Sequence, residues 1–154
     1  VIPCKIHSGH ENQLAELAPF NNVKILLAED NLVNQVVAIR TLEKWNIHVT
    51  LATNGREALE KLKHQSFDMV IMDIQMPEMD GIEAASKIRK NFPEPVRNIP
   101  IMAMTACILS ESIANFQKAG INDHLEKPFK PHDLYRKIMA LLPAKGMHGW
   151  QKMK

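Results

Sequence analysis

The sequence predicts a doubly wound α/β fold, a parallel five-stranded sheet with helices on both faces. Strand and helix signals alternate five times between residues 23 and 142. Runs such as Met69-Val70-Ile71-Met72 are apolar without alternation, as in strands covered on both faces. The connections are short, and repeated β-α units with short connections build parallel sheets.

The first strand is expected over residues 24–28 and leads into a helix over 31–44. There Val33, Val36, Val37, Ile39 and Leu42 recur at near-helical spacing, and Asp30 or Asn31 can cap the start. A second strand over 48–52 precedes Asn54-Gly55 and a helix over 56–64, with Ala58, Leu59 and Leu62 on one side. The third strand covers 68–73, and beyond its Pro/Gly-punctuated loop a helix over 82–91 turns Ile82, Ala85 and Ile88 inward. Pro93 and Pro95 break that helix, since each disfavours helix in the residue before it. The fourth strand, 101–105, is followed by a helix over 110–119 that Gly120 closes. A short strand over 123–125 and a helix over 131–142 complete the set. Pro131 sits in that helix's first turn, where a missing N–H costs nothing.

At 154 residues and 45% apolar content the chain suits one core with short tails. A formal charge of +2 argues for neither direct nucleic-acid binding nor contact with an anionic membrane. No apolar stretch approaches the roughly 20 residues that span a bilayer, and the amino terminus lacks a signal-peptide core. Cys4 and Cys107 form no CxxC or metal spacing and fit a reducing, cytoplasmic setting. The chain begins with Val1 rather than Met, which suggests a fragment or a processed piece. Residues 1–22 read as a linker or N-terminal extension, or as a short helix about 13–17; residues 23–142 read as the domain, and 143–154 as a basic tail.

The chemistry lies at the strand ends. Asp73 closes the third strand, Glu29-Asp30 the first, Thr105 the fourth, and Lys127-Pro128 follows the fifth. In an open α/β sheet these ends share the edge where ligands bind. Three carboxylates about 4–5 Å apart would repel by roughly 4 kcal/mol per pair at an effective dielectric near 20. A hard divalent cation, Mg²⁺ by preference for all-oxygen ligands, would offset that repulsion, as would the Lys127 ammonium. A carboxylate so placed is equipped to attack phosphorus, with Lys127 neutralising charge and Thr105 donating to a phosphoryl oxygen. The acyl phosphate formed is labile, which suits a signal better than a store.

Four blocks carry a resemblance. Ile25-Leu26-Leu27-Ala28-Glu29-Asp30-Asn31, Met72-Asp73-Ile74-Gln75-Met76-Pro77-Glu78-Met79-Asp80-Gly81, Ile101-Met102-Ala103-Met104-Thr105-Ala106 and Glu126-Lys127-Pro128-Phe129 stand in order and at fitting spacing. Together they make residues 23 to about 142 similar to the receiver (CheY-like response regulator) domains of two-component phosphorelays. The resemblance implies a flavodoxin-like sheet of order 2-1-3-4-5, a cis Lys127-Pro128 bond and Asp73 as phosphoacceptor. It implies Mg²⁺ held by Glu29, Asp30, Asp73 and the Gln75 backbone carbonyl, with Thr105 as switching hydroxyl and Lys127 as phosphoryl partner. The implied donor is a histidine kinase core or a histidine phosphotransfer domain, and a phosphorylation-dependent dimer is compatible with the family. Asn31-Leu32-Val33-Asn34-Gln35 resembles the receivers of hybrid sensor histidine kinases, whose parent chains carry the kinase activity and are often membrane-anchored. The receiver itself is an acceptor and not a turnover enzyme. One departure stands out: the family often has Tyr or Phe where this chain has His124, which could stack similarly or make the face pH-sensitive.

Blander readings exist for each residue. Glu29-Asp30 could simply cap a helix, Thr105 could be structural, and Lys127 could be solvated. Asp80-Gly81 reads as turn chemistry, the central methionines as core, and Trp45 as cover for the end of the first helix. His7 and His10 read as incidental, and Trp150 as exposed or a contact residue. Three rivals remain: a free-standing regulator, a pseudo-receiver that is never phosphorylated, and a phosphatase of the haloacid dehalogenase type. The last typically has a second acid two residues beyond its nucleophile, and here that position is Gln75.

Overall fold

Five apolar runs become β1 (Val23–Ala28), β2 (Ile47–Ala52), β3 (Met69–Asp73), β4 (Ile101–Thr105) and β5 (Asp123–Glu126) in the computed structural model. The structure describes residues 17–142. The readings of His7, His10, Trp150 and the tail lie outside them, as does nearly all of the short helix expected about residues 13–17. The strands form one sheet in the order β2-β1-β3-β4-β5, and every neighbouring pair is parallel. Between them run α1 (Leu32–Lys44), α2 (Gly55–His64), α3 (Gly81–Asn91), α4 (Ser110–Ala119) and, last, α5 (Pro131–Leu141).

The alternation of side chains along β1 sorts the helices onto two faces. Leu26 and Ala28 pack with Ala58 and Leu62 of α2, Ala85 and Ile88 of α3, and Phe116 of α4. Val23, Ile25 and Leu27 pack instead with Ala38 and Leu42 of α1 and Leu134, Tyr135 and Ile138 of α5. Burial of each large side chain stabilises the fold by about 1.5–3 kcal/mol, so the two clusters together hold the sheet between its helix layers.

Local chemistry sets the helix starts. Asn31, Asn54 and Asp80 are extended N-cap residues whose side chains accept from the N–H three residues on, opening α1, α2 and α3. The cap of α1 is therefore Asn31, and Asp30 is left to the sheet edge. Gly120 ends α4 in the left-handed region at φ 86°, and a side chain there would collide with Arg89. The Lys127-Pro128 bond is cis, as is Glu94-Pro95, and a single 3₁₀ turn, Val96–Asn98, follows the latter.

The inward stripe of α1 differs from expectation. Gln35, Ala38 and Leu42 are its buried residues, while Val33, Val36 and Val37 are 70%, 48% and 49% exposed. The two readings share Leu42, Ile39 packs partly buried against the same cluster, and they differ by part of a turn. Gln35 takes a place in the buried stripe with its side chain turned in, donating to the carbonyl of Glu29.

The packed unit also starts before Val23. Phe20 is buried, its N–H donates to Trp45 O at 2.7 Å, and its carbonyl accepts from Asn46 Nδ2 at 3.1 Å. Trp45 caps the end of α1, as expected, and lies edge-on to Tyr135.

Candidate functional site

Parallel pairing brings the strand ends to one edge. Ala28 is level with Met72, Asp73 with Met104, and Thr105 with Glu126, so the last residue of β3 meets the residues that follow β1 and β5. Glu29, Asp30 and Asp73 each place a carboxylate oxygen within 4.8 Å of the others. Glu29 and Asp73 are buried at 1% and 6% exposure, whereas Asp30 is open to solvent.

Lys127 Nζ lies 3.0 Å from Glu29 Oε1 and 3.0 Å from Asp73 Oδ2, bridging the two buried acids. The second Glu29 oxygen accepts from Asn31 N–H at 3.0 Å. Asp73 Oδ1 accepts a long bond of 3.4 Å from Gln75 N–H. Asp73 is thus the less fully committed of the buried pair. Burial, chiefly, and the charge of Glu29 raise the Asp73 pKa above the usual carboxylate value; Lys127 pulls the other way without cancelling them. Burial depresses Lys127, but hydrogen bonds and charges from Glu29 and Asp73 outweigh it, and its pKa is raised.

The loop carrying Gln75 is held from two sides. Gly81 N–H donates to Ile74 O at 2.9 Å, closing its base, and a Cβ on Gly81 would run into the Asp73 carbonyl. Across the edge, Gly55 N–H donates to Met79 O at 3.0 Å and Asn54 Nδ2 to Glu78 Oε2 at 3.2 Å. Asp30, Gln75 and Asp80 line an open cleft of about 500 Å³ beside this loop. Asp80 itself caps α3, in keeping with a turn role.

Of the residues singled out from sequence, Glu29, Asp30, Asp73 and Lys127 meet. Gln75 borders the cleft through its loop. Thr105 stands on the same edge, but its hydroxyl is turned to the following loop, donating to Cys107 O at 3.0 Å and accepting from Cys107 N–H at 3.3 Å. His124 packs its ring 5.9 Å from that of Phe116, at a tilt of 47°. Gln35 went unrecognised as part of this edge. Its signal was its place in the Asn31-Leu32-Val33-Asn34-Gln35 block, since the apolar stripe read from the sequence runs through the valines and misses it.

An all-oxygen donor set of this kind, with two of its acids buried and bridged by lysine, fits a hard divalent cation. Placed at the carboxyl edge of a 2-1-3-4-5 parallel sheet, it defines a class of acidic-edge α/β domain. The chain belongs to the response regulator receiver domain family, which it matches over residues 25–139. It is 37% identical to the receiver domain of a sensor histidine kinase from Pseudomonas aeruginosa, crystallised with magnesium coordinated in its active-site cleft. That structure superposes with a TM-score of 0.73 over 80% of this chain and 100% of the other. A two-component response regulator from Clostridium difficile is 31% identical, with a TM-score of 0.72 over 79% and 96% of the two chains. Among curated proteins, hybrid signal transduction histidine kinase M of Dictyostelium discoideum is 44% identical over 121 residues, 77% of this chain and 5% of that one. Histidine kinase 3 of Arabidopsis thaliana is 35% identical over 134 residues, covering 75% and 13%. The chain therefore spans a small part of the curated relatives it matches. It is a receiver domain of two-component signalling, homologous to those of hybrid histidine kinases.

Proposed function

We propose that this receiver takes a phosphoryl group from a phosphohistidine onto Asp73 in a Mg²⁺-dependent reaction, and that its parent is a hybrid sensor histidine kinase. The observation that carries the reading is Lys127 Nζ at 3.0 Å from both Glu29 and Asp73. That contact favours the charged form of Asp73 against its burial and leaves a cation beside the oxygen that would attack.

An Asp73 carboxylate oxygen attacks phosphorus in line with the leaving imidazole, so an O–P bond forms as the N–P bond breaks. Glu29, Asp30, Asp73 and the Gln75 carbonyl would hold Mg²⁺, which when bound neutralises charge on the phosphoryl oxygens. Lys127 shifts from its bridging position to pair with the transferred group. Thr105 exchanges its bonds to Cys107 for one to a phosphoryl oxygen. That exchange pulls the β4–α4 loop and shifts a pre-existing equilibrium of the face formed by α4, β5 and α5.

The donor is a histidine kinase core or a histidine phosphotransfer domain. Leu32, Val33, Val36 and Val37 leave an apolar strip exposed on α1. Beside it, a 130 Å³ pocket is lined by Val37, Met104, Pro128 and Phe129 next to Lys127. This strip suits an apolar helical donor presenting its histidine to the edge. No helix among the described residues is long and apolar enough to cross a membrane, and a cytoplasmic location is part of the proposal.

Intact mass after incubation with acetyl phosphate and Mg²⁺ tests the core of it. One phosphoryl group is expected on the wild type and none on Asp73→Asn. An unmodified wild type would favour the pseudo-receiver, and sustained turnover of a small phosphate ester would favour the phosphatase.

A further inference from the structure

Glu29 is the pivot of the acidic edge, and three successive peptide planes around it are pinned by different groups. Its own N–H donates to Ala52 O at 2.9 Å. The N–H of Asn31 donates to its carboxylate at 3.0 Å. The plane between those two, joining Glu29 to Asp30, is held by Gln35 alone, through Nε2 donating to Glu29 O at 2.8 Å.

Gln35 is 6% exposed, the only polar residue in the buried stripe of α1. Burying an amide is unfavourable unless its hydrogen bonds are made, and an alanine or leucine would fill the stripe without that cost. Starting α1 does not require the side chain. Asn31 already caps it, and Gln35 N–H bonds Asn31 O in the ordinary helical way. What the side chain adds is an anchor on the peptide from which Asp30 projects. Asp30 is exposed, and its carboxylate makes no hydrogen bond or ion pair among the described residues, so its direction depends on the backbone beneath it.

We infer that Gln35 is a positioning residue for the Glu29–Asp30 pair, holding the peptide between them so that both acids face Asp73 and thereby setting the affinity of the edge for Mg²⁺. The inference rests on the proposed reading of these acids as metal ligands. Partners that orient ligands without touching the ion typically change metal affinity by 10–100-fold when removed.

The test is Mg²⁺ titration by calorimetry on the wild type, Gln35→Met and Leu42→Ala. Methionine keeps the length and removes the amide; Leu42→Ala loosens the same buried stripe at its far end, where Leu42 is 0% exposed. Gln35→Met should weaken Mg²⁺ binding about tenfold, at the low end of that range, and Leu42→Ala should leave it unchanged. In acetyl phosphate labelling, Gln35→Met should raise the Mg²⁺ concentration for half-maximal rate while the rate at saturating Mg²⁺ holds. Gln35→Asn, too short to reach Glu29, is read the same way if the methionine variant fails to fold. A wild-type affinity in the Gln35 variants, or an equal loss in Leu42→Ala, would overturn the inference. A wild type that does not bind Mg²⁺ would instead overturn the reading of the site.

Discussion

The two edges of the sheet are built on opposite principles. Where β1 and β2 begin, Phe20 and Trp45 close on Tyr135 with ring centroids 5.0 and 5.1 Å away, and the Tyr135 hydroxyl donates to Ala18 O at 2.7 Å. Where β4 and β5 begin, Arg89 binds Gly120 O through Nε and Nη2, Arg97 O through Nη1, and Asn122 Oδ1. Asn122 Oδ1 in turn accepts from Ile101 N–H at 2.8 Å. Rings are buried and polar groups matched. At the other edge two buried carboxylates share one lysine, and the pKa of Asp73 is raised, so its charge opposes folding. Stability is concentrated at one edge and reactivity at the other, and substitutions should separate them.

The largest separation is expected at Asp73. Asp73→Asn should abolish acyl phosphate formation while leaving stability unchanged or raised by up to about 1 kcal/mol, since it removes a buried charge and Lys127 keeps Glu29. Urea unfolding without Mg²⁺ measures this. A loss of several kcal/mol would break the comparison. Phe20→Ala is the mirror case. It should cost about 3–5 kcal/mol in the same assay, because a buried ring leaves a cavity, yet the folded fraction should still be phosphorylated on Asp73.

Arg89 comes next. Arg89→Met should cost about 2–3 kcal/mol, the scale for hydrogen bonds from a charged donor, with no loss of labelling at saturating Mg²⁺. Arg89→Lys should recover less than half of that, because a compact ammonium cannot reach Gly120, Arg97 and Asn122 together as the planar fork does. Equal recovery by lysine would mean that charge, and not the fork, ties α3 to the start of β5.

The two edges also differ in how far the sequence discloses them. A charged residue ending an apolar run has few readings, so Glu29, Asp30 and Asp73 declare themselves; Lys127 is marked instead by the Lys-Pro block after the fifth strand, and the alternation of runs carries the sheet. The opposite edge has no such pattern. Phe20, Trp45 and Tyr135 are far apart in the chain, and nothing periodic links them; Phe20 falls within the stretch read as a linker. The 3₁₀ turn Val96–Asn98 is too short to show a period, and the prolines before it announce only a break. On α1 the valines follow a helical period correctly, but they mark the exposed side, and the buried stripe runs through Gln35, Ala38 and Leu42. The direction of the Thr105 hydroxyl is a choice of rotamer, which residue order does not encode.

The smallest effect, and the sharpest probe of the apolar edge, belongs to Tyr135. Tyr135→Phe keeps the ring contacts and removes the bond to Ala18 O, for an expected loss of about 1 kcal/mol at neutral pH. Burial raises the Tyr135 pKa, so the folded state retains its proton where the unfolded state loses it. The stability this contributes is complete below the ordinary tyrosine value near 10 and falls as pH rises from there through the folded value. Lys127, also raised, loses its share as pH climbs from the ordinary lysine value through its own higher folded value, and it is common to both proteins. The difference in unfolding free energy between wild type and Tyr135→Phe should therefore shrink above pH 10 or so and stay flat from neutrality up to it. No gap at neutral pH would place the hydroxyl in solvent and remove it from the anchoring of residues 17–22, and a gap undiminished in alkali would mean that burial does not hold its proton.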